Sequence, residues 1–294
     1  MPQDPVSNSP TLARAIPPGL HLIATPIGTA RDITLRALDL LAGADMLIAE
    51  DTRSLRHLME LHGIALNGRR VLAYHDHNGA KMRPIIMAGL RAGKTAVYAS
   101  EAGTPLVADP GYQLARAVID AGLALHAAPG PSAVLAALTV AGLPSDRFCF
   151  LGFAPAASGA RAKFLSEVAS IPATLIFYES PRRIHRLLME LRDALGGDRD
   201  AALCRELTKK HEEVVRMPLG ALADSIQDRT LKGEIVVLVG RAEAPVADAS
   251  ALDAALETAL AEMRLKEAVA HVSATLNLPR RDVYQAALAK ERKQ

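Results

Sequence analysis

From residue 20 onward, short β-rich runs alternate with helical patterns, and this alternation limits the chain to a layered α/β architecture with largely parallel strands. The runs are LHLIAT (20–25), DMLIAE (45–50), RRVLAY (69–74), KTAVYAS (94–100) and LALHAAP (123–129). Between them lie helical patterns: one near 34–42 that Thr34 can cap, one through LRHLMEL, one from about 79, one over GYQLARAVIDAG and one beginning at GPSAVLAAL. The spacing predicts one open sheet of five strands over residues 20–146.

A second α/β unit is expected over 147–241, with strands at RFCFLGF (147–153), ATLIFYES (173–180), DAALCREL (200–207), HEEVVRM (211–217) and GEIVVLVG (233–240). Helices are predicted between the first three of these strands and from 218 to 228. Only TKK separates the third strand from the fourth, which predicts a hairpin and hence a mixed sheet. Residues 1–19, with five prolines, read as a disordered tail, and 242–250 read as a linker. Residues 251–294 carry three helical patterns, the last two joined by NLP as in a helix-turn-helix.

Composition excludes some functions. With no Trp, five Phe and five Tyr, a sheet that stacks single-stranded bases on aromatic rings is not expected. The net charge of +2 is too small to name a polyanionic partner. Basic clusters at 53–57, 68–70, 181–186, 208–211, 279–281 and 290–293 read singly as solvated faces, and would mean more if several met at one cleft. Cys149 and Cys204 lie in apolar runs without metal-ligand spacing, so both are expected as buried thiols, and no metal site is assigned. No apolar run is long enough to span a bilayer, and the N-terminus lacks a signal-peptide core; a cytoplasmic location is the expectation.

The segment ASEAGTPLVADPG, Ala99 to Gly111, follows the fourth run directly and holds two glycines and two prolines. Phosphate binding is a poor reading, because the segment has Glu101 and Asp109 but no Lys or Arg. The nearest P-loop mimic, AGLRAGKT (88–95), has alanine at the first glycine position and runs from a helix into a strand, the reverse of what phosphate cradling needs. No G-x-G-x-x-G occurs. Polar loops do follow every strand of the first unit: TPIGTARDIT (25–34), AEDTR (49–53), YHDHN (74–78), the Ala99–Gly111 segment and PGPSA (129–133). In an open α/β sheet those loops share the ligand-binding rim, and the acidic segment suits a cationic, polyhydroxyl ligand such as an adenosyl sulfonium. For proton transfer or backbone contact the rim offers Glu50, Asp51, Arg53, His75 and Asn78. His75 or Glu50 could assist deprotonation of an acceptor hydroxyl while Arg53 and Asn78 hold the acceptor; the structural alternative is an ion pair with a helix cap at 50–53 and a shaped turn at 75–78.

Ten blocks in order, from TPIGTARDIT through AEDTR, YHDHN, SEAGTPLVADPG, PGPSA, AGLPSDRF, GFAP, FYESPRR and RELTK to KGE, resemble the ribosomal RNA small subunit methyltransferase I family of the tetrapyrrole methylase superfamily. The resemblance runs from about 20 to 240, and the final helices are similar to that family's C-terminal module. It implies a homodimer of two α/β domains with S-adenosyl-L-methionine (SAM) in the cleft between them. It also implies transfer of a methyl group to the ribose 2′-oxygen of a cytidine in the decoding region of 16S rRNA in the small ribosomal subunit. Carried onto this chain, the cofactor would meet Pro26, Ser100, Glu101, Ala102, Gly103, Thr104, Pro105, Pro131, Ser132 and Ala133. From the second unit it would meet Phe153, Tyr178, Arg205, Glu206, Leu207, Gly233 and Glu234. The chain departs from the family pattern at Glu101, usually Asp, at Thr29, usually Asn, and at Ala157, where a basic residue is common. Two rivals are a corrinoid or porphyrin methyltransferase on the same scaffold and a non-catalytic ribosome- or RNA-binding protein with a relic SAM pocket; the basic clusters and the helical hairpin favour RNA as the partner over a tetrapyrrole.

Overall fold

The computed structural model describes residues 16–75, 77–241, 249–276, 278 and 280–291, so most of the expected tail and of the expected linker lies outside the described residues. The first sheet is built from β1 (Gly19–Ile23), β2 (Met46–Ala49), β3 (Val71–Ala73), β4 (Thr95–Ala99) and β5 (Leu125–Ala128). Its order is β3-β2-β4-β1-β5, with every pairing parallel. Helices α1 (Leu35–Gly43) and α2 (Thr52–Leu61) cover one face, where Leu47 and Ala49 point. Helices α3 (Gly79–Arg91) and α4 (Tyr112–Asp120) cover the other, where Ile48 points. Burial on both faces explains why β2, β3 and β4 are mainly apolar runs rather than alternating ones, while β1 and β5 carry His21 and His126, whose rings stack at 4.5 Å. Thr34 caps α1 as its position predicts, its hydroxyl accepting from the Ala37 amide at 3.2 Å.

The second sheet contains β6 (Phe148–Phe153), β7 (Thr174–Glu179), β8 (Asp200–Arg205), β9 (Glu213–Pro218) and β10 (Ile235–Val239), in the order β6-β7-β10-β8-β9. Only β6 and β7 run parallel; the other pairings are antiparallel, and the sheet is mixed as expected. The β8–β9 connection is longer than TKK. Glu206 and Thr208 take positive φ of 51° and 63°, which ends β8 at Arg205 and turns residues 206–212 into a loop. Ionic bonds within that loop hold it: Lys209 donates to Glu206 at 2.9 Å, and the Thr208 amide donates to Glu212 at 2.5 Å.

Helix α5 (Ala133–Ala141) joins the two halves. Its sequence AVLAALTVA is apolar nearly all round, yet only one side packs on the second sheet and Leu135 on the other is 52% exposed. Val134, Ala137, Leu138 and Ala141 pack on Ala202, Cys204, Val236 and Leu238 of the second sheet. The opposite face of that sheet packs Leu203, Val237 and Val239 under α6 (Ser158–Val168), α7 (Ile184–Leu195) and α8 (Leu219–Ser225). Leu238 is fully buried at the α5 seam, and Leu238→Ala is expected to cost about 2–5 kcal/mol, seen as a lower denaturation midpoint in urea. Cys204 is buried there and burial pushes its thiol up to about 11; Cys149 is only half-buried, because β6 is an edge strand, and both are free thiols. The last helices, α9 (Ala249–Glu262), α10 (Leu265–Thr275) and α11 (Arg280–Glu291), bury Leu256, Val272 and Val283 among themselves as a separate small core.

Candidate cofactor and acceptor site

Register places the rim. Ile23 pairs with Ala99 and Ala128, and Ala49 with Ala99 and Ala73, so all five strands end level and their following loops emerge together. β1 and β4 are neighbours, yet β1 leads to α1 on one face while β4 leads to α4 on the other. Their loops diverge and leave a crevice, the topological switch point at which open α/β sheets bind ligands. AGLRAGKT lies at the other end: α3 stops at Arg91, Gly93 turns with φ of 78°, and β4 begins at Thr95.

Two backbone hydrogen bonds close the base of the crevice, Thr25 N–H to Gly103 O at 2.9 Å and Gly103 N–H to Thr25 O at 3.0 Å. Ser100 is buried and its hydroxyl donates to Gly103 O at 2.7 Å; Thr104 donates to Pro131 O at 2.9 Å. The 100–105 loop is thereby fixed to both neighbouring rim loops, with Ala102 half-buried and Pro105 buried. Ser132 caps α5 through a 3.5 Å contact from the Leu135 amide, and Ala133 begins that helix. Beyond Pro105 the backbone is strained: Leu106 and Ala108 hold φ of 69° and 58°, with Tyr98 anchoring the segment by donating to Pro110 O at 2.9 Å.

That strained segment delivers Asp109. Its carboxyl is half-buried, makes no hydrogen bond among the described residues, and feels the charges of Glu50 and Glu101. Burial first, and then those two acids, push it up to about 7. Its charge also reaches Tyr178 across the cleft, whose phenol burial raises to about 12. Three acids from β2, from the loop after β4 and from the approach to α4 thus meet opposite the second sheet. Such a donor set fits a cation, as a sulfonium is, and disfavours an anion. Asp109 is absent from the sequence-based site residues. Its neighbours in sequence are ordinary turn residues, and only burial and the approach of Glu50 distinguish it.

The second sheet supplies the facing wall. Tyr178 packs edge-on against Phe150 and Phe153 at 4.8 and 5.7 Å, and Phe153 is left 54% exposed at the edge of that wall. Leu207 is buried in the α5 seam. Arg205 is held by Glu213 at 3.0 Å and by the Lys232 carbonyl at 3.2 Å. Glu206 accepts from Lys209 and from the Glu234 amide at 3.0 Å, and Lys209 also pairs with Glu234 at 3.0 Å. These pairings hold the Glu206 carboxyl below the usual carboxylate range. Gly233 has φ of 88° and a Cβ there would stand 2.3 Å from the Glu206 carboxyl carbon. The charged ends of Arg205, Glu206 and Glu234 are thus engaged with each other's neighbours, leaving backbone groups as what this turn presents to the cleft.

The two walls touch beside Gly28, and Ile27 and Val107 of the first wall also pack in the cluster formed by the second sheet and α5. A Cβ on Gly28 would lie 2.5 Å from the Thr208 hydroxyl and 2.6 Å from Lys209 Cγ. Beside it the Thr29 amide donates to Thr208 Oγ1 at 3.1 Å and the Thr29 hydroxyl to Thr208 O at 2.7 Å. Sequence reasoning singled out Thr29 only as a departure from a pattern; its 179-residue separation from Thr208 hides the clamp.

The remaining rim candidates divide. Asp51 caps α2, accepting from the Arg53 and Ser54 amides at 2.7 and 3.4 Å, and those donors hold its carboxyl below the usual range. Arg53 is exposed and makes no ion pair among the described residues. Asn78 spends its side chain on the turn, accepting from the His75 amide at 2.9 Å and donating to Ala73 O at 3.0 Å. His75 keeps a buried Nδ1 without a hydrogen-bond partner among the described residues. The basic clusters divide as well. Arg69 donates to the carbonyls of Leu41 and Ala44 at the end of α1, and Arg183 to those of Ala154 and Pro155, which makes both structural. Arg182 and Arg186 are exposed.

Residues 19–223 match the family described as Tetrapyrrole (Corrin/Porphyrin) Methylases, and residues 246–291 match the RsmI C-terminal HTH domain. The chain is 48% identical to a ribosomal RNA small subunit methyltransferase I of Mesorhizobium japonicum, over 89% of this chain and 88% of the relative. It is 43% identical to the protein of that name from Mycobacterium tuberculosis, over 93% and 95%. Among solved structures, a cobalt precorrin-4 methyltransferase superposes with a TM-score of 0.57 at 20% identity, covering 75% of this chain and 94% of that one. A uroporphyrin-III C-methyltransferase of Thermus thermophilus, complexed with S-adenosylhomocysteine, superposes with 0.54 at 20% identity, covering 76% and 97%. The architecture is that of those enzymes, while sequence identity and the added C-terminal helices join the chain to the ribosomal RNA enzymes. The chain belongs to the tetrapyrrole methylase family and, within it, to the ribosomal RNA small subunit methyltransferase I group.

Proposed function

We propose that this protein methylates the ribose 2′-oxygen of a cytidine in the decoding region of 16S rRNA, with SAM as donor, on the small ribosomal subunit in the cytoplasm. The observation that carries this reading over a tetrapyrrole acceptor is coverage. The precorrin and porphyrin enzymes account for three quarters of this chain, whereas the ribosomal RNA enzymes match it through the helices beyond. The reading divides the chain into an N-terminal α/β domain (20–146), a C-terminal α/β domain (147–241) and a helical module (251–294), and takes a homodimer as the working form.

SAM, when bound, supplies an activated methyl on a sulfonium, so the chain's own work is alignment and proton handling. The 100–105 loop, Pro26, and the Pro131–Ala133 turn form one wall, and Tyr178, Phe153, Leu207 and the 233–234 turn the other. Glu50, Glu101 and Asp109 balance the positive charge. His75 or the Glu50 carboxylate accepts the hydroxyl proton of the acceptor ribose. Arg53 holds RNA phosphate, and Asn78 fixes the turn that carries His75.

The test is incubation with methyl-labelled SAM and 30S subunits from a strain lacking the modification. Label in the ribose of a 16S rRNA cytidine is the expected result. Label only in an added tetrapyrrole, or RNA binding without any transfer, would overturn it. His75→Ala and Glu50→Gln are each expected to slow transfer by about 10²-fold while SAM still binds; wild-type rates in both would remove them from the mechanism.

A further inference from the structure

A cavity of about 200 Å³ opens beside the cofactor cleft rather than inside it. It lies between the loop after β1 and helix α2, and the second sheet contributes no residue to its lining. It does share Pro26, Ser100 and Glu101 with the residues assigned to the cofactor. Its contents would therefore lie directly against the donor, from the side away from Tyr178.

The chemistry of its walls is specific. Helix α2 turns Ser54, Leu58 and Leu61 toward it at i, i+4 and i+7, with Leu55 and His57 alongside. Leu61 is 57% exposed, so an apolar surface is left facing water. The polar groups are a hydroxyl at Ser54, an imidazole at His57 and a carboxylate at Glu101. Arg31, Arg53 and Arg56 stand next to lining residues in sequence, are exposed, and make no ion pair among the described residues.

We infer that this cavity receives the acceptor ribonucleoside of a single-stranded RNA segment. The base lies against the leucines, the sugar faces Glu101, and the flanking phosphates meet the arginines. RNA is read in this way where unstacked bases are splayed into protein pockets, and arginines beside the pocket fix the backbone's position. Enzymes acting on one nucleotide must take it out of its stack, which calls for an apolar slot of this kind. A free SAM molecule is the poorer occupant: the arginines would oppose its sulfonium, and the aromatic wall at Tyr178 would go unused. The inference rests on the reading under Proposed function and adds to it the place where the acceptor is held.

Leu58→Trp and Ser54→Trp fill the cavity from its α2 side. In the labelled-SAM assay with 30S subunits, both are expected to reduce transfer by about 10²-fold, the effect of misplacing a reacting group. SAM affinity by calorimetry stays within about twofold of wild type, which shows that the filled variants are folded. Wild-type transfer by the filled variants overturns the inference and leaves the proposed function standing. SAM affinity lost in step with transfer also overturns it, by assigning the cavity to the donor. A wild-type protein that places no label in rRNA overturns the proposed function itself, and the inference with it.

Discussion

Gly28→Val is expected to weaken SAM binding by about 10- to 100-fold while the thermal midpoint moves by only a few degrees. The first β carbon alone would meet Thr208 Oγ1 at 2.5 Å and Lys209 Cγ at 2.6 Å, and valine adds two methyls beyond it. Overpacking of this kind costs about 1–3 kcal/mol, which as a binding penalty spans that range. The cost falls on the cleft because the contact lies between the halves, not within either core. Relief requires the β1 loop and the 207–209 turn to part, breaking the pair of Thr29–Thr208 hydrogen bonds. Both sheets and the α5 seam keep their packing. Calorimetric titration with SAM, beside a melting curve, separates the two effects. Unchanged affinity would mean that the Thr29–Thr208 contact does not set the width of the cleft.

The second large effect is on pH. Without ligand, Asp109 is pushed up to about 7 by burial and by Glu50 and Glu101, from an ordinary value of 3.8. Its contribution to folding is therefore fully present below about pH 3.8 and is lost as pH rises through about 7. A bound sulfonium reverses the preference, because it favours the ionised carboxylate. SAM affinity is thus expected to be flat above about pH 8 and to fall by up to about tenfold per unit below about pH 7. Tyr178, raised to about 12, stays neutral throughout. Asp109→Asn should flatten the profile and weaken binding at pH 8 by about tenfold, a loss of roughly 1.4 kcal/mol. Titrations from about pH 5.5 to 8.5 check both arms. A pH-independent wild type would place Asp109 outside the ligand's reach.

The sequence read well where a local rule sufficed. Mainly apolar runs of strand length marked each strand of the first sheet, because two covered faces leave few polar positions to confuse the pattern. Thr34 and Asp51 announced the starts of α1 and α2, since a cap is made with a backbone amide only two or three residues away. AGLRAGKT was recognisable as no phosphate loop from its order of helix then strand. The β8–β9 loop read poorly: Glu206 and Thr208 are not residue types that signal a left-handed backbone, and the charges that impose it come from Lys209 and Glu212. Arg69 and Arg183 looked like surface charge, but carbonyls from other segments hold them.

The sequence by itself determined the α/β layers, the level of the rim loops, the family blocks and the acidic character of the stretch from Ala99 to Gly111. Each follows from periodicity, capping or residue type within a few positions. Only the tertiary structure decided which of the rim's residues act together. The proximity of Glu50 to Asp109, the contact of Gly28 with the 207–209 turn, the pairing of Lys209 with Glu234 and the cavity under α2 join segments tens to nearly two hundred residues apart. The physical reason is that charge and steric interactions depend on distance in space, and strand order β3-β2-β4-β1-β5 brings together loops that are well separated along the chain.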